Sequence, residues 1–189
     1  MEQVLLYFYD AETERDVPEE EVARFPALYA DRWHAAKVAT VRQQAEGSAR
    51  LLREHFGVTS EEQLDRGEHG ALSVKDDPRY LCLSHAGPVT VLAVSEAPVG
   101  VDLERVHATS EPTVSRLFPP SFQKEMEGLE GEERDETFTR LWTRLEAALK
   151  VDGRGLTAPR EEFEDILATV DLKTERMGDY YVSVAMNKR

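Results

Sequence analysis

"VGVDLERV", Val99 to Val106, lies near the middle of the chain and sets two acids, Asp102 and Glu104, into a valine-rich run. Alternation along a strand sends residues i and i+2 to the same face, so the two carboxylates stand side by side and repel. Two arrangements tolerate that: a cation between them, or both pointing into water. The chain has 37 acids among 189 residues, and at that density about seven acid-x-acid triplets arise by chance. The pair alone therefore leaves both arrangements open.

Working outward, strand signals precede it in "RYLCLSHAG" and "PVTVLAVS", separated by Gly and Pro punctuation. Val4 to Tyr9 reads as a further strand, and "DYYVSVAMN" as a last one. Between the first strand and the central group, "VPEEEVARFPALYADRWHAAKVATVRQQAEGSARLLREHFGV" reads as helix in two pieces broken near Pro26. Val41, Ala45, Ala49, Leu52 and Phe56 recur at helical spacing, with Gly57 as C-cap. Thr59 or Ser60 ahead of "EEQL" marks a short capped helix. After the acidic pair comes a helical stretch interrupted at Pro119-Pro120, then a long helix from about Glu132 to Val151 that stops before Gly153. Helix and strand signals thus occur twice. The expected fold is α+β, in two halves, 1–97 and 98–189, meeting around residues 97 to 105.

The chain is long enough to bury a sizeable core. Its net charge of −14 argues against general nucleic-acid binding and attachment to anionic lipid. An anionic ligand must be held by a local basic pocket or by a metal. One cysteine, Cys82, excludes an internal disulfide and fits a reducing compartment; it is expected to pack inside rather than react. "MEQVLLYFYD" lacks the basic start of a signal peptide, and no run reaches the roughly 20 apolar residues that span a bilayer. A cytoplasmic location is expected.

On the long helix, Phe138, Leu141, Trp142, Leu145 and Leu149 form an apolar stripe, which reads as core. Thr139, Thr143, Glu146 and Lys150 form a second stripe at the same spacing. Glu146 and Lys150 there could be an ordinary i,i+4 surface pair. Just beyond, "KVDGRGL" offers Arg154 in a glycine turn, suited to a phosphate against the helix end.

Together, "LSHAGPVTVLAVSEAPVGVDLERV" and "FTRLWTRLEAALKVDGRGL" resemble the paired signatures of the 4′-phosphopantetheinyl transferases, and more closely the larger, monomeric type. The resemblance runs from about Arg32 onward. It rests on a Ser-His-x-Gly segment (Ser84, His85, Gly87), a Gly-x-Asp-x-Glu segment (Gly100, Asp102, Glu104), and a Trp-x-x-x-Glu-Ala-x-x-Lys-x-x-Gly-x-Gly-Leu segment. Three motifs in order are far more specific than any one.

The resemblance implies two similar α+β halves related by a pseudo-twofold, with an active site in the cleft between them. It implies transfer of phosphopantetheine from coenzyme A to a serine hydroxyl of an acyl or peptidyl carrier protein, releasing adenosine 3′,5′-bisphosphate. Asp102, Glu104 and Glu146 become the Mg2+ ligands, which favours the cation over the solvated arrangement. Glu146 becomes the proton acceptor, directly or through a metal-bound water, and Lys150 the group against the pyrophosphate. Ser84 and His85 match contacts to the 3′-phosphate. Arg32, Lys37 and Arg42 fall where the family supplies further phosphate-binding bases, although surface solvation accounts for each equally well.

Two departures stand out. Gly70-Ala71-Leu72 is the nearest match to a family Gly-Lys-Pro, with Lys75 a possible substitute for the missing lysine, and Leu145 occupies another lysine position. The alternative they raise is a weakened paralogue that binds coenzyme A or a carrier without efficient transfer.

Overall fold

The computed structural model describes residues 3–12 and 17–188. They fall into two compact units, one up to Ala97 and one from Pro98.

The N-terminal unit opens with β1 (Leu5–Asp10). Helices α1 (Glu19–Val22), α2 (Ala27–Ala35) and α3 (Ala39–Phe56) follow. The helical stretch thus breaks twice, at Pro26 and again at Ala36–Val38, where the backbone turns extended ahead of α3. Gly57 caps α3 in the left-handed region at φ +67°. Ser60 and Gln63 form a reciprocal capping box around one 3-10 turn, Glu61–Gln63. A small hairpin comes next, β2 (Leu64–Arg66) with β3 (Leu72–Val74). Then β4 (Tyr80–Ala86) and β5 (Val89–Ser95) pair across a two-residue turn, Gly87-Pro88, with Gly87 at φ +56°. The sheet order is β1-β5-β4, all antiparallel. On one face Ala45, Ala49 and Leu52 of α3 bury against Leu81, Leu92 and Val94. Gly47 permits this closeness, because a Cβ there would stand 2.4 Å from Thr90 Oγ1. Cys82 is only half-buried on β4, less enclosed than its strand context predicts.

The C-terminal unit runs β6 (Val99–Arg105), α4 (Glu111–Leu117), α5 (Pro120–Met126) and α6 (Gly131–Asp152). Helix α7 (Phe163–Thr169), β7 (Val170–Met177) and β8 (Tyr180–Asn187) complete it. Pro119 and Pro120 separate α4 from α5, since proline at a first helical position has no N–H to lose. Gly153 ends α6 at φ +89°. The sheet order is β6-β8-β7, again antiparallel. Each sheet therefore has the same connectivity: a strand, a helical excursion, then a hairpin whose last strand inserts in the middle.

Helix α6 crosses one face of this second sheet. Phe138, Leu141, Leu145 and Leu149 of the apolar stripe are buried, packing with Phe118, Phe163 and Ala185 among others. Trp142 is only partly buried. The polar stripe is a surprise: Thr139 and Thr143 are fully buried. Thr143 gives its hydroxyl proton to the Arg140 carbonyl, 3.0 Å away, and so accepts from Ser183 at 2.8 Å. Ser183 in turn accepts from Thr174 of β7, also at 2.8 Å. A chain of hydroxyls fastens the helix to the sheet where hydrophobic contact alone would let it slide.

Candidate active site

Pleating sends Gly100, Asp102 and Glu104 to one face of β6 and Val101 and Leu103 to the other. Gly100 identifies the first face as the one under α6. A Cβ on Gly100 would lie 2.0 Å from the Ala147 carbonyl oxygen and 3.0 Å from Val151 Cγ2. In register, Gly100 stands beside Ala185, and Asp102 beside Ser183. The acidic pair therefore projects toward the helix that carries Glu146 and Lys150.

Asp102 is only 4% exposed, so solvation cannot explain it. Lys150 Nζ lies 2.8 Å from Asp102 Oδ1 and 2.9 Å from the Val101 carbonyl oxygen, donating to both. Glu146 and Lys150 are consequently no exposed surface pair. The lysine reaches back across β6 and balances the most buried acid of the group.

The remaining carboxylates record their crowding. Burial pushes the Glu146 carboxyl up to about 7; the charge of Asp102 adds to this, Lys150 opposes it, and Glu104 adds further. Glu104 is raised as well, by burial first and then by Asp102. Nearby His107, a hydrogen bond from the Trp142 side chain, and Lys150 pull it back. Trp142, expected only to pack, thus stands near enough to Glu104 to favour its charged form. Nothing in a helical wheel marks that role, because its partner lies on another element.

Glu104 also borders a cleft of about 600 Å3 walled by Phe138, Trp142, Thr113 and Leu117, with His107 at its edge. His107 sits edge-on to Phe138, with 5.6 Å between ring centroids, and its Nδ1 lies 3.0 Å from the Arg105 carbonyl oxygen. Arg154 does not suit a phosphate as expected. Asp152 and Glu162 bond it at 2.8 and 2.7 Å, so its charge is already matched.

The other predicted site residues belong to the N-terminal unit. Ser84 and His85 are neighbours on β4 and so face opposite sides of the sheet. His85 pairs in register with Thr90, on the α3 face, while the buried Ser84 takes the other. Arg32 of α2 donates to Gln44 Oε1 at 3.1 Å, and Gln44 Nε2 donates to the Gly87 carbonyl oxygen at 3.4 Å. Arg32 is thereby brought to the turn that follows His85. Arg42 lies over the Trp33 ring, 5.0 Å from its centroid, and donates to the Ala36 carbonyl oxygen at 3.3 Å. Lys37 is exposed in the same α2–α3 connection. Gly70 takes φ +87° in the β2–β3 loop. Lys75 is engaged locally, 2.7 Å from the Glu62 carbonyl oxygen and 3.6 Å from Asp65.

Three carboxylates that repel one another form a donor set of the kind a hard, oxygen-seeking divalent cation requires. Among the described residues no three His, Cys, Asp or Glu side chains converge closely enough to hold a metal as they stand. The donor chemistry fits, with Lys150 supplying the counter-charge to Asp102 in this arrangement.

Comparison with known proteins bears on this unit directly. Residues 98–183 match the family described as the 4′-phosphopantetheinyl transferase superfamily. The chain is 27% identical over 97 residues to 4′-phosphopantetheinyl transferase Sfp of Bacillus subtilis, covering 51% of this chain and 43% of the relative. It is 26% identical over 132 residues to 4′-phosphopantetheinyl transferase psf-1 of Bacillus pumilus, covering 69% and 57%. To 4′-phosphopantetheinyl transferase HetI of a Nostoc species it is 35% identical over 92 residues, covering 47% and 38%. The chain thus spans about half the length of the curated relatives it matches. The segment that carries Asp102, Glu104, Glu146 and Lys150 is thus the part of the chain that matches the 4′-phosphopantetheinyl transferase superfamily.

Proposed function

We propose that this protein transfers 4′-phosphopantetheine from coenzyme A to a serine hydroxyl of an acyl or peptidyl carrier protein, as a Mg2+-dependent cytoplasmic monomer. The observation that carries the reading is the meeting of two acids from one strand face with Glu146 and Lys150 from the helix across it. The serine oxygen forms a bond to the β-phosphorus of coenzyme A, the bridging P–O bond breaks, and adenosine 3′,5′-bisphosphate leaves. Glu146 accepts the serine proton; a carboxyl pushed up to about 7 is well matched to that task near neutral pH. Lys150 fixes Asp102 and supplies positive charge toward the pyrophosphate. Asp102, Glu104 and Glu146 would hold the Mg2+, whose contribution is to neutralise charge on the pyrophosphate oxygens. His85, with Arg32 beside its turn, contacts the 3′-phosphate, and Ser84, whose side chain takes the opposite face of β4, is left out of that contact. The shared connectivity of the two sheets supports reading the units as repeats of one α+β design.

A second reading, a paralogue that binds coenzyme A or a carrier with little transfer, is favoured by one observation. Leu145, where the family resemblance implies a lysine, is fully buried and leaves no cation at that position. Incubation with coenzyme A, Mg2+ and a panel of apo carrier proteins separates the two. Carriers heavier by one phosphopantetheine arm are the expected result. Coenzyme A binding by calorimetry without any mass gain across the panel selects the second reading.

A further inference from the structure

The arginines of this acidic chain divide into those that bond a carboxylate and those, Arg32 and Arg42 among them, that do not. Arg50, Arg53, Arg79, Arg134, Arg140 and Arg154 each bond a carboxylate. Arg32 has no carboxylate within ion-pair distance among the described residues and is held by the neutral amide of Gln44. An amide orients a guanidinium without cancelling its charge, which leaves the full positive charge for a ligand.

Gln44 is fixed at both ends. Its carbonyl oxygen accepts from Arg32 Nη2 at 3.1 Å and its amide nitrogen donates to the Gly87 carbonyl oxygen at 3.4 Å. The reversed amide would put donor against donor at Arg32, so the two bonds select one orientation. Gln44 stands in the second turn of α3, and its own carbonyl oxygen accepts from Ser48 Oγ at 2.8 Å. The helix thus ties α2 to the Gly87-Pro88 turn through a single side chain.

We infer that Gln44 is a positioning residue for an anion: it sets the Arg32 guanidinium beside the turn after His85 and keeps it uncompensated, so that it selects ligands bearing a terminal phosphate. This rests on the proposed reading of coenzyme A as ligand, and the phosphate concerned is the 3′-phosphate. Gln44 touches no ligand itself in this role and acts through Arg32.

The test is calorimetric binding of coenzyme A and of dephospho-coenzyme A, which lacks only the 3′-phosphate. The proteins are wild type, Gln44→Met, Gln44→Glu, Arg32→Met and the Gln44→Met/Arg32→Met double variant, each checked for an unchanged melting transition. Wild type is expected to prefer coenzyme A about 10-fold or more, the scale of a charge-assisted contact. Gln44→Met should cut that preference about 3- to 10-fold and leave dephospho-coenzyme A binding unchanged. In the Arg32→Met background the same change should alter it less than about 2-fold, because the two act as one unit. Gln44→Glu keeps the shape and the acceptor but neutralises Arg32, so it too should lose preference, which a merely structural role would not produce. Wild-type preference that survives Gln44→Met, or Gln44 and Arg32 effects that multiply, overturns the positioning role alone. Equal wild-type affinity for the two ligands overturns the 3′-phosphate reading, and the role of Gln44 with it.

Discussion

Replacing Glu146 by Gln in metal-free protein should make the C-terminal unit more stable at pH 8 and leave it unchanged at pH 4. The Glu146 carboxyl keeps its proton up to about pH 7 in the folded chain, against an ordinary value of 4.5. Between those values the folded state binds more protons than the unfolded state, so stability falls as pH rises through the window and levels off above it. A shift of that size corresponds to about 3 kcal/mol; partial access to solvent brings the expectation to about 2–3 kcal/mol. Glutamine keeps the shape and carries no charge, so the variant escapes the loss. For a chain of this length the gain is about 4–12 °C in melting temperature at pH 8. Trp142 reports on this unit, and removing the only other tryptophan, Trp33, by Trp33→Phe isolates its fluorescence. Mg2+ at pH 8 should then raise the wild-type transition more than that of Glu146→Gln, since the variant lacks a ligand. Parallel stability curves for the two proteins between pH 4.5 and pH 7 would refute the reasoning.

Gly100→Ala should lift α6 from β6, because its Cβ would meet the Ala147 carbonyl oxygen at 2.0 Å. A loss of about 1–3 kcal/mol in denaturant titration, together with loss of carrier modification, is expected; unchanged stability contradicts the close approach. Leu145→Lys places an ammonium in a fully buried position and should cost several kcal/mol. A melting temperature within a degree of wild type would mean that the side chain escapes to water. Ser183→Ala breaks the link between Thr174 and Thr143 and should cost about 1–3 kcal/mol by denaturant titration. The same change in a Thr143→Val/Thr174→Val background should cost much less, and equal costs would rule out the hydroxyl chain.

Much of the scaffold can be read from the chain because its signals are local. Alternation puts Gly100, Asp102 and Glu104 on one face, and helical spacing with Gly153 bounds α6 closely. What stays hidden depends on partners distant in sequence. Thr139 and Thr143 look like the wet side of α6, yet they are buried because Ser183, 40 residues beyond Thr143, offers a hydroxyl. Strand β7 escapes notice because it is an edge strand: Asp171, Lys173 and Glu175 are exposed, and charged side chains on an edge blunt the apolar pattern that marks a strand. The extra break at Ala36–Val38 has no proline to announce it. The bond from Arg32 to Gln44 crosses that break. Ser84 and His85 read as one motif, but the pleat separates their side chains.

The central place of β8 has a consequence for synthesis. Strand β6, with both acids, is made early in its unit, but its hydrogen-bonding neighbour is the last described strand of that unit. Until Tyr180–Asn187 leaves the ribosome, β6 and β7 each lack the partner that lies between them. The sheet beneath the acidic cluster therefore cannot be completed stepwise alongside translation. It forms in one late event of high contact order, and a nascent chain stalled before Tyr180 presents two unpaired strand edges, open to association with other chains.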